Sequence, residues 1–270
     1  MSQSAAMREA DQIGPMLRSW RSARGKSQLD LALASQVSQR HVSFIESGRS
    51  VPSRTMLLTL ADALDVPFRE RNTLLLAAGY APANPEGDWD APEMASIDAA
   101  LERMLRQQEP YPAIVLDRHW DVIRTNTAAP RLFGRFLDPD TVPRPRNLLR
   151  LLFDPAGLRP HIEDWETLAR AMIGRVHREA VGGMLNAPTR QLLADLARYP
   201  GVDPAWRNPE PVSSLPTVPI GLVEQGAVTR YFSMICTVGT PQTVLTQEFR
   251  LECMFPADAE SDARHLAMLA

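Results

Sequence analysis

The sequence predicts two domains: an all-α N-terminal domain, then an α+β C-terminal domain built on an antiparallel sheet. Three observations lead there. Residues 27–53, SQLDLALASQVSQRHVSFIESGRSVPS, read as two short helices joined by a tight turn. Residues 81–93, APANPEGDWDAPE, carry three prolines and four acidic residues, which is linker chemistry. Beyond them, runs rich in Val, Ile, Thr and Phe follow stretches of helical periodicity. The expected boundaries are 1–80 for the first domain, 81–95 for the linker, 96–257 for the second domain and 258–270 for a C-terminal tail.

Met1 to Ala10 reads as a short disordered arm. Ser27 can cap a helix over Gln28 to Ala34, and Ser38 another over Gln39 to Glu46. Val42 and Ile45 are spaced i, i+3 and mark the buried side, which turns Arg40, Ser43 and Phe44 outward and leaves Gln39 at the exposed tip. The first turn of such a helix offers free N–H groups and a positive dipole end to a phosphate. Its diameter fits the major groove, where Gln can read adenine, Arg can read guanine and an apolar side chain can touch a thymine methyl. Phe44 is either such a contact or idle surface. After Leu74-Leu75-Leu76-Ala77-Ala78, Gly79 stops the last helix of the domain.

The segment from about Ile13 to Tyr80 resembles the lambda-repressor-like helix-turn-helix domain of the XRE regulators. The matching residues are Ser27-Gln28, Leu31, Ala32, Ser38, Ile45-Glu46-Ser47-Gly48 and Pro52-Ser53. The resemblance implies that Gln28 contacts a phosphate, that Gln39, Arg40 and Phe44 occupy base-reading positions, and that Glu46 pairs with Arg21. A carboxylate facing DNA would be repelled, so Glu46 belongs in an internal ion pair. Arg49 and Arg54 flank the loop after the recognition helix and are candidate phosphate contacts, or plain solvated surface. With Ser27 and Ser43 these residues make up the candidate DNA-binding set.

Residues 1–80 hold ten Lys plus Arg against seven Asp plus Glu, a formal +3, whereas residues 81–270 hold nineteen against twenty-five, a formal −6. The whole chain is at −3, so only the split by domain recovers a basic footprint. So few positive charges bind DNA weakly. Doubling the head in a two-fold homodimer is the remedy, with half-sites about 34 to 36 Å apart or a multiple of that. The chain of 270 residues has no apolar run of membrane length and no signal-peptide layout, so a cytoplasmic protein is expected. Cys236 and Cys253 lie in apolar strand-like runs and read as buried thiols rather than a disulfide or metal site.

The second domain opens with an amphipathic helix carrying Ile97, Leu101, Met104 and Leu105 on one face. Ala113–Leu116 and Trp120–Thr125 read as strands about a turn at Asp117-Arg118, followed by a helix with Leu132 and Phe133; Asn126 suits a cap or Asx-turn between them. This order resembles the opening of a PAS domain. With Asn147–Pro155, the helix around Trp165 to Val176, the LLADLARYPGV run from Leu192 and the late strands, the region from Ile97 to Pro256 resembles the MmyB-like ligand-binding domain found behind XRE heads. Three β-rich stretches close it, at Pro216–Val223, Val228–Val238 and Val244–Phe255. The usual His-Pro-x-x-Gly before them is replaced by Leu215-Pro216-Thr217-Val218-Pro219-Ile220-Gly221, so ligand choice can differ here. At least five strands packed by helices on one side would make the antiparallel sheet and can enclose an apolar pocket.

The resemblance implies a fatty acid or similar apolar small molecule as effector, with no other cofactor. Leu132, Phe133, Phe136, Trp165, Met172 and Val176 are candidate pocket residues, or simply core. Arg124, Arg131 and His119 are candidate cations for a carboxylate, or surface charges. His161, Asp164 and His177 match no metal spacing, so no metal is expected. The chain's one lysine, Lys26, lies in the head, which leaves no base for a Ser-Lys protease, and no phosphate loop, Gly-x-Ser-x-Gly or His-Glu-x-x-His occurs. The sequence thus points away from an enzyme. It points to a transcription regulator of double-stranded DNA with an apolar effector, or to one whose second domain only dimerises or docks a protein partner.

Overall fold

A computed structural model describes residues 3–138, 140–179, 187–207 and 217–269. They fall into two units, residues 3–87 with 240–247, and residues 88–138, 140–179, 187–207, 217–239 and 248–269.

The first unit holds helices α1 (Gln3–Ala23), α2 (Gln28–Ser35), α3 (Gln39–Glu46), α4 (Arg54–Ala63) and α5 (Phe68–Ala77). Three serines start three of them. The hydroxyls of Ser27, Ser38 and Ser53 accept from the backbone N–H of Asp30, His41 and Met56, each satisfying a donor that the first helical turn leaves free. Ile13, Leu17 and Trp20 of α1 pack with Leu31, Val42, Ile45, Leu57, Leu60 and Leu74 into one core. The disordered arm expected at residues 1–10 is corrected from Gln3 onward. Gln, Ser, Ala, Ala, Met, Arg, Glu and Ala are mostly good helix formers, and they extend α1 by about two turns.

Within the expected linker, Asn72 donates to the carbonyl of Asn84 and accepts from the N–H of Ala83 and Asn84, so this stretch is tied to the first unit rather than free.

The second unit contains α6 (Ala95–Gln107), β1 (Ala113–Leu116), β2 (Val122–Thr125), α7 (Ala128–Phe133), α8 (Leu148–Phe153), β3 (Ile162–Glu163), α9 (Trp165–Glu179), α10 (Ala187–Leu196), β4 (Ile220–Glu224) and β5 (Ala227–Cys236). The short helix α11 (Val244–Glu248) falls in the first unit but for its last residue, and β6 (Arg250–Pro256) and α12 (Ala259–Leu269) complete the second. The six strands form one antiparallel sheet in the order β2-β1-β6-β5-β4-β3, with β6 between β1 and β5.

Alternation gives the sheet two apolar faces. Ile114, Leu116, Tyr231, Leu222 and Met254 face a core shared with α7, α8, α9 and α10. Ala113, Val115, Leu251 and Cys253 face Leu101 and Leu105 of α6. Helices therefore cover both sides, where the sequence suggested one.

Other expectations shift locally. Trp120 is not in β2: it sits at φ +70 in the turn, and its buried ring packs into the core. Met104 is 36% exposed, because Leu101 and Leu105 suffice for the buried stripe of α6. The start of the stretch expected as a strand at Val244–Phe255 is helical, since the Thr243 hydroxyl accepts from the N–H of Thr246 and caps α11. Residues 259–269, expected as a tail, form α12, with His265 fully buried between Tyr231 and the carbonyl of Pro110. Cys253 is buried and its thiol is pushed up to about 11 by burial first; Cys236 is half-buried, and both are free. Among the described residues no helix is long and apolar enough to cross a membrane.

Candidate DNA interface and ligand cavity

The N-terminal candidates gather on and beside α3. Gln39 and Arg40 are exposed, while Ser43 and Phe44 are half-buried. The Arg40 and Arg49 guanidiniums lie 5.2 and 5.9 Å from the centroid of the Phe44 ring, so Phe44 is a platform for two cations rather than idle surface. Arg49 is placed by the end of the helix. Gly48 at φ +73 donates to Ile45 O at 3.1 Å and Arg49 N–H to Phe44 O at 2.8 Å, a paired closure that needs a left-handed residue at position 48. Arg54 is exposed at the start of α4.

Behind this face Glu46 is 3% exposed and held by Arg21 through Nε at 2.6 Å and Nη2 at 2.9 Å. Burial pushes its carboxyl up, but the hydrogen bonds from Arg21 and Gln28 and the charges of Arg21 and Arg18 outweigh that and leave it below the usual carboxylate range. Two candidates thereby have internal partners. The Gln28 amide donates to Glu46 Oε2 at 2.9 Å, and the Ser27 hydroxyl is engaged in capping, with the Asp30 carboxylate accepting in return from Ser27 N–H.

In the second unit a cavity of about 270 Å³ lies between the sheet and the helices. Ser233 and Ile235 of β5, Glu252 and Met254 of β6 and Ile114 of β1 line it from below; Phe133, Leu148, Leu168 and Met172 line it from the helices. A second cavity of about 150 Å³ shares Ile114, Phe133 and Leu148 with the first. A third cavity of about 620 Å³ includes His119, Asp121, Asn147 and Tyr199 beside Val142, Leu151 and Leu192.

Among the described residues, charge in the first cavity is confined to Arg175, Arg178 and Glu252. Arg175 Nη2 reaches Glu252 Oε1 at 2.5 Å and its Nε reaches Glu179 Oε1 at 2.6 Å; Arg250 meets Glu179 at 3.1 Å and Glu252 at 3.4 Å. Trp120 lies against this group, its ring centroid 4.4 Å from the Arg175 guanidinium and 4.1 Å from that of Arg250. Burial lowers the Arg250 guanidinium below its usual range. For Arg175 the burial effect is outweighed by the Glu252 and Glu179 carboxylates, which raise it. Arg178, one turn along α9 from Arg175, makes no ion pair among the described residues.

Of the pocket candidates named from sequence, Phe133 and Met172 line the first cavity; Leu132, Phe136, Trp165 and Val176 line none of the three. Leu132 and Val176 are buried core, Phe136 packs on His161, and the Trp165 indole donates to Leu152 O while Arg159 covers its ring. Arg124 is paired with Asp98 and Glu102 of α6, away from the cavities, and Arg131 is exposed. His119, its pKa lowered by burial, lines the third cavity. Among the described residues no three metal-ligating side chains cluster. Sequence reasoning missed Arg175, Arg178 and Glu252. Arg175 and Arg178 follow Met172 at three-residue steps on α9, a readable stripe, but Glu252 becomes a lining residue only through its register opposite Ile235 and Ile114. Thr217 and Val218 of the substituted loop line the cavity, whereas Leu215 and Pro216 lie outside the described residues.

Residues 97–268 match the family model of the MmyB-like transcription regulator ligand binding domain, and residues 17–71 match that of the helix-turn-helix. No curated protein matches the chain. Among solved structures the chain is similar to "Structure of an RNA-binding Light-Oxygen-Voltage Receptor", with 14% identity and a TM-score of 0.28 over 98% of this chain. The match spans 64% of that protein's chain, and a likeness of this size bears on neither fold nor function.

Proposed function

Because the chain belongs to the family of MmyB-like transcription regulators, with a helix-turn-helix head and a ligand binding domain, we propose that it is a one-component, homodimeric regulator whose second domain senses an apolar small molecule such as a fatty acid. DNA-binding transcription regulation with a ligand-binding domain is the activity of the family, and neither matched family is an enzyme family. The finer reading rests on the 270 Å³ cavity, apolar over most of its wall and charged at Arg175, Arg178 and Glu252. That combination suits an amphiphile, its tail among Ile114, Phe133 and Met172 and its head near Arg178, the lining cation without an ion pair among the described residues.

In the head, Gln39, Arg40, Ser43 and Phe44 read base edges, while Arg49 and Arg54 hold phosphates. Ser27 and Gln28, at the N-terminus of α2, meet the backbone, with Gln28 exchanging its bond to Glu46 for a phosphate. Ligand shifts a cytoplasmic dimer between two spacings of α3, by no more than its differential affinity for the two arrangements.

Mass spectrometry of the purified protein, native and then denaturing, tests the reading. A stoichiometric apolar molecule released on denaturation, which then alters operator affinity when added back, is the expected result. A protein that is empty and stays empty with long-chain fatty acids would leave the second domain as a dimerisation or docking module.

A further inference from the structure

The two apolar cavities of the second unit have a common wall, and that wall is made of side chains unequal in how firmly they are held. Ile114 is 3% exposed in the middle of β1. Phe133 and Leu148 are half-buried and sit at helix ends, Phe133 as the last residue of α7 and Leu148 as the first of α8. A side chain at a helix end is confined by fewer neighbouring turns, so its rotamer can change without displacing a packed layer.

The chemistry of the two spaces differs as well. Arg175, Arg178 and Glu252 line the first cavity and not the second, which among the described residues is lined by apolar side chains apart from Thr125 and Arg146. The shared residue Ile114 stands opposite Glu252 in the β1–β6 register, so an amphiphile whose head meets the Arg175, Arg178 and Glu252 group has the shared wall within reach of its tail, and an apolar pocket of about 150 Å³ adjoins that wall. Its apolar lining would gain from covering by an apolar group.

We propose that Phe133, with Leu148, is an internal partition that sets the length of apolar tail the sensor accepts; this rests on the ligand-sensing reading above. Tails that end at the partition fill the first cavity. Longer tails enter the second only where Phe133 and Leu148 give way.

The test is calorimetric titration of the full-length protein with n-alkyl carboxylates and n-alcohols of about six to sixteen carbons, where each methylene newly buried strengthens binding about fourfold. The wild type is expected to gain affinity with length and then level off. In Phe133→Ala the levelling point moves several carbons further, because the two spaces become one. Should that variant fail to fold, Phe133→Leu and Leu148→Ala carry the same expectation with less disturbance. An unchanged levelling point in variants that fold and bind, or a wild type that gains affinity through the whole series, overturns the partition and leaves the sensor standing. Absence of binding by every member of both series overturns the sensor and the partition together.

Discussion

A carboxylate on the helix that carries Arg40 has to be kept from facing phosphate, and Glu46 shows how. Its side chain is 1% exposed, and Arg21, itself 14% exposed, grips both of its oxygens. Removing Arg21 leaves a buried charge without its main partner, so Arg21→Ala is expected to cost about 3–5 kcal/mol in chemical unfolding at neutral pH. Adding Glu46→Gln should recover part of that loss, since the orphaned charge is then gone; an unchanged unfolding midpoint in Arg21→Ala would remove the pair from the account. The pH dependence follows from the depressed carboxyl. Stability from Glu46 is fully present above the unfolded value of about 4.3 and is lost as pH falls through the lower folded value. Wild type and Glu46→Gln should therefore begin to converge in stability as pH falls below the unfolded value of about 4.3, and converge fully only below the lower folded value. On the DNA face, Arg40→Ala is expected to cost about 1–3 kcal/mol at the operator and relax base preference there, whereas Arg49→Ala weakens operator and random DNA alike. Equal losses on both DNAs for Arg40→Ala would count against base reading.

At the scale of elements, two glycines of the head serve opposite needs. A Cβ on Gly14 of α1 would stand 2.7 Å from both Ile45 O and Glu46 O, so the helix pair approaches as closely as it does only because position 14 has no side chain. Gly48 has open space around it but a φ of +73. Gly14→Ala is thus an overpacking defect, expected to cost about 1–3 kcal/mol and to move α3 and with it the DNA face. Gly48→Ala is a backbone-strain defect of about 1–2 kcal/mol that leaves α1 and α3 packed. Operator affinity measured beside unfolding separates them: if Gly14→Ala kept full affinity, the α1–α3 approach would not position the reading helix. The same distinction between local and long-range constraint explains what was legible in the sequence. Caps are local, so Ser27, Ser38 and Gly79 mark helix ends by residue type and spacing alone. The cavity wall is set by pairing across strands: Glu252 faces it through a register with Ile114 and Ile235 that no local pattern encodes. Trp165, at the start of α9, and Phe136, just beyond α7, looked like pocket residues because an aromatic beside an amphipathic helix fits either role, and only packing set them against the core.

For the whole molecule the balance of charge argues for two copies on DNA. The head carries a formal +3 and the remainder −6, so a single chain offers few phosphate contacts and a repulsive bulk. The proposed two-fold dimer would double the contacts and fix their geometry, because both copies of α3 would enter the major groove on one face of the duplex about 34–36 Å apart. Helical phasing then becomes the test. Inserting about five base pairs between the half-sites turns the second onto the opposite face and should reduce affinity to that of a half-site, while inserting about ten restores the facing at longer reach. A monomeric reader would be indifferent to both insertions, and a loosely tethered pair of heads would tolerate the half-turn. If ligand changes the spacing of the heads, the same operator series read with and without ligand should change its preferred insertion, and not merely its overall affinity. A uniform loss across the series would instead mean that ligand acts on the amount of dimer, through its differential affinity for assembled and free chains.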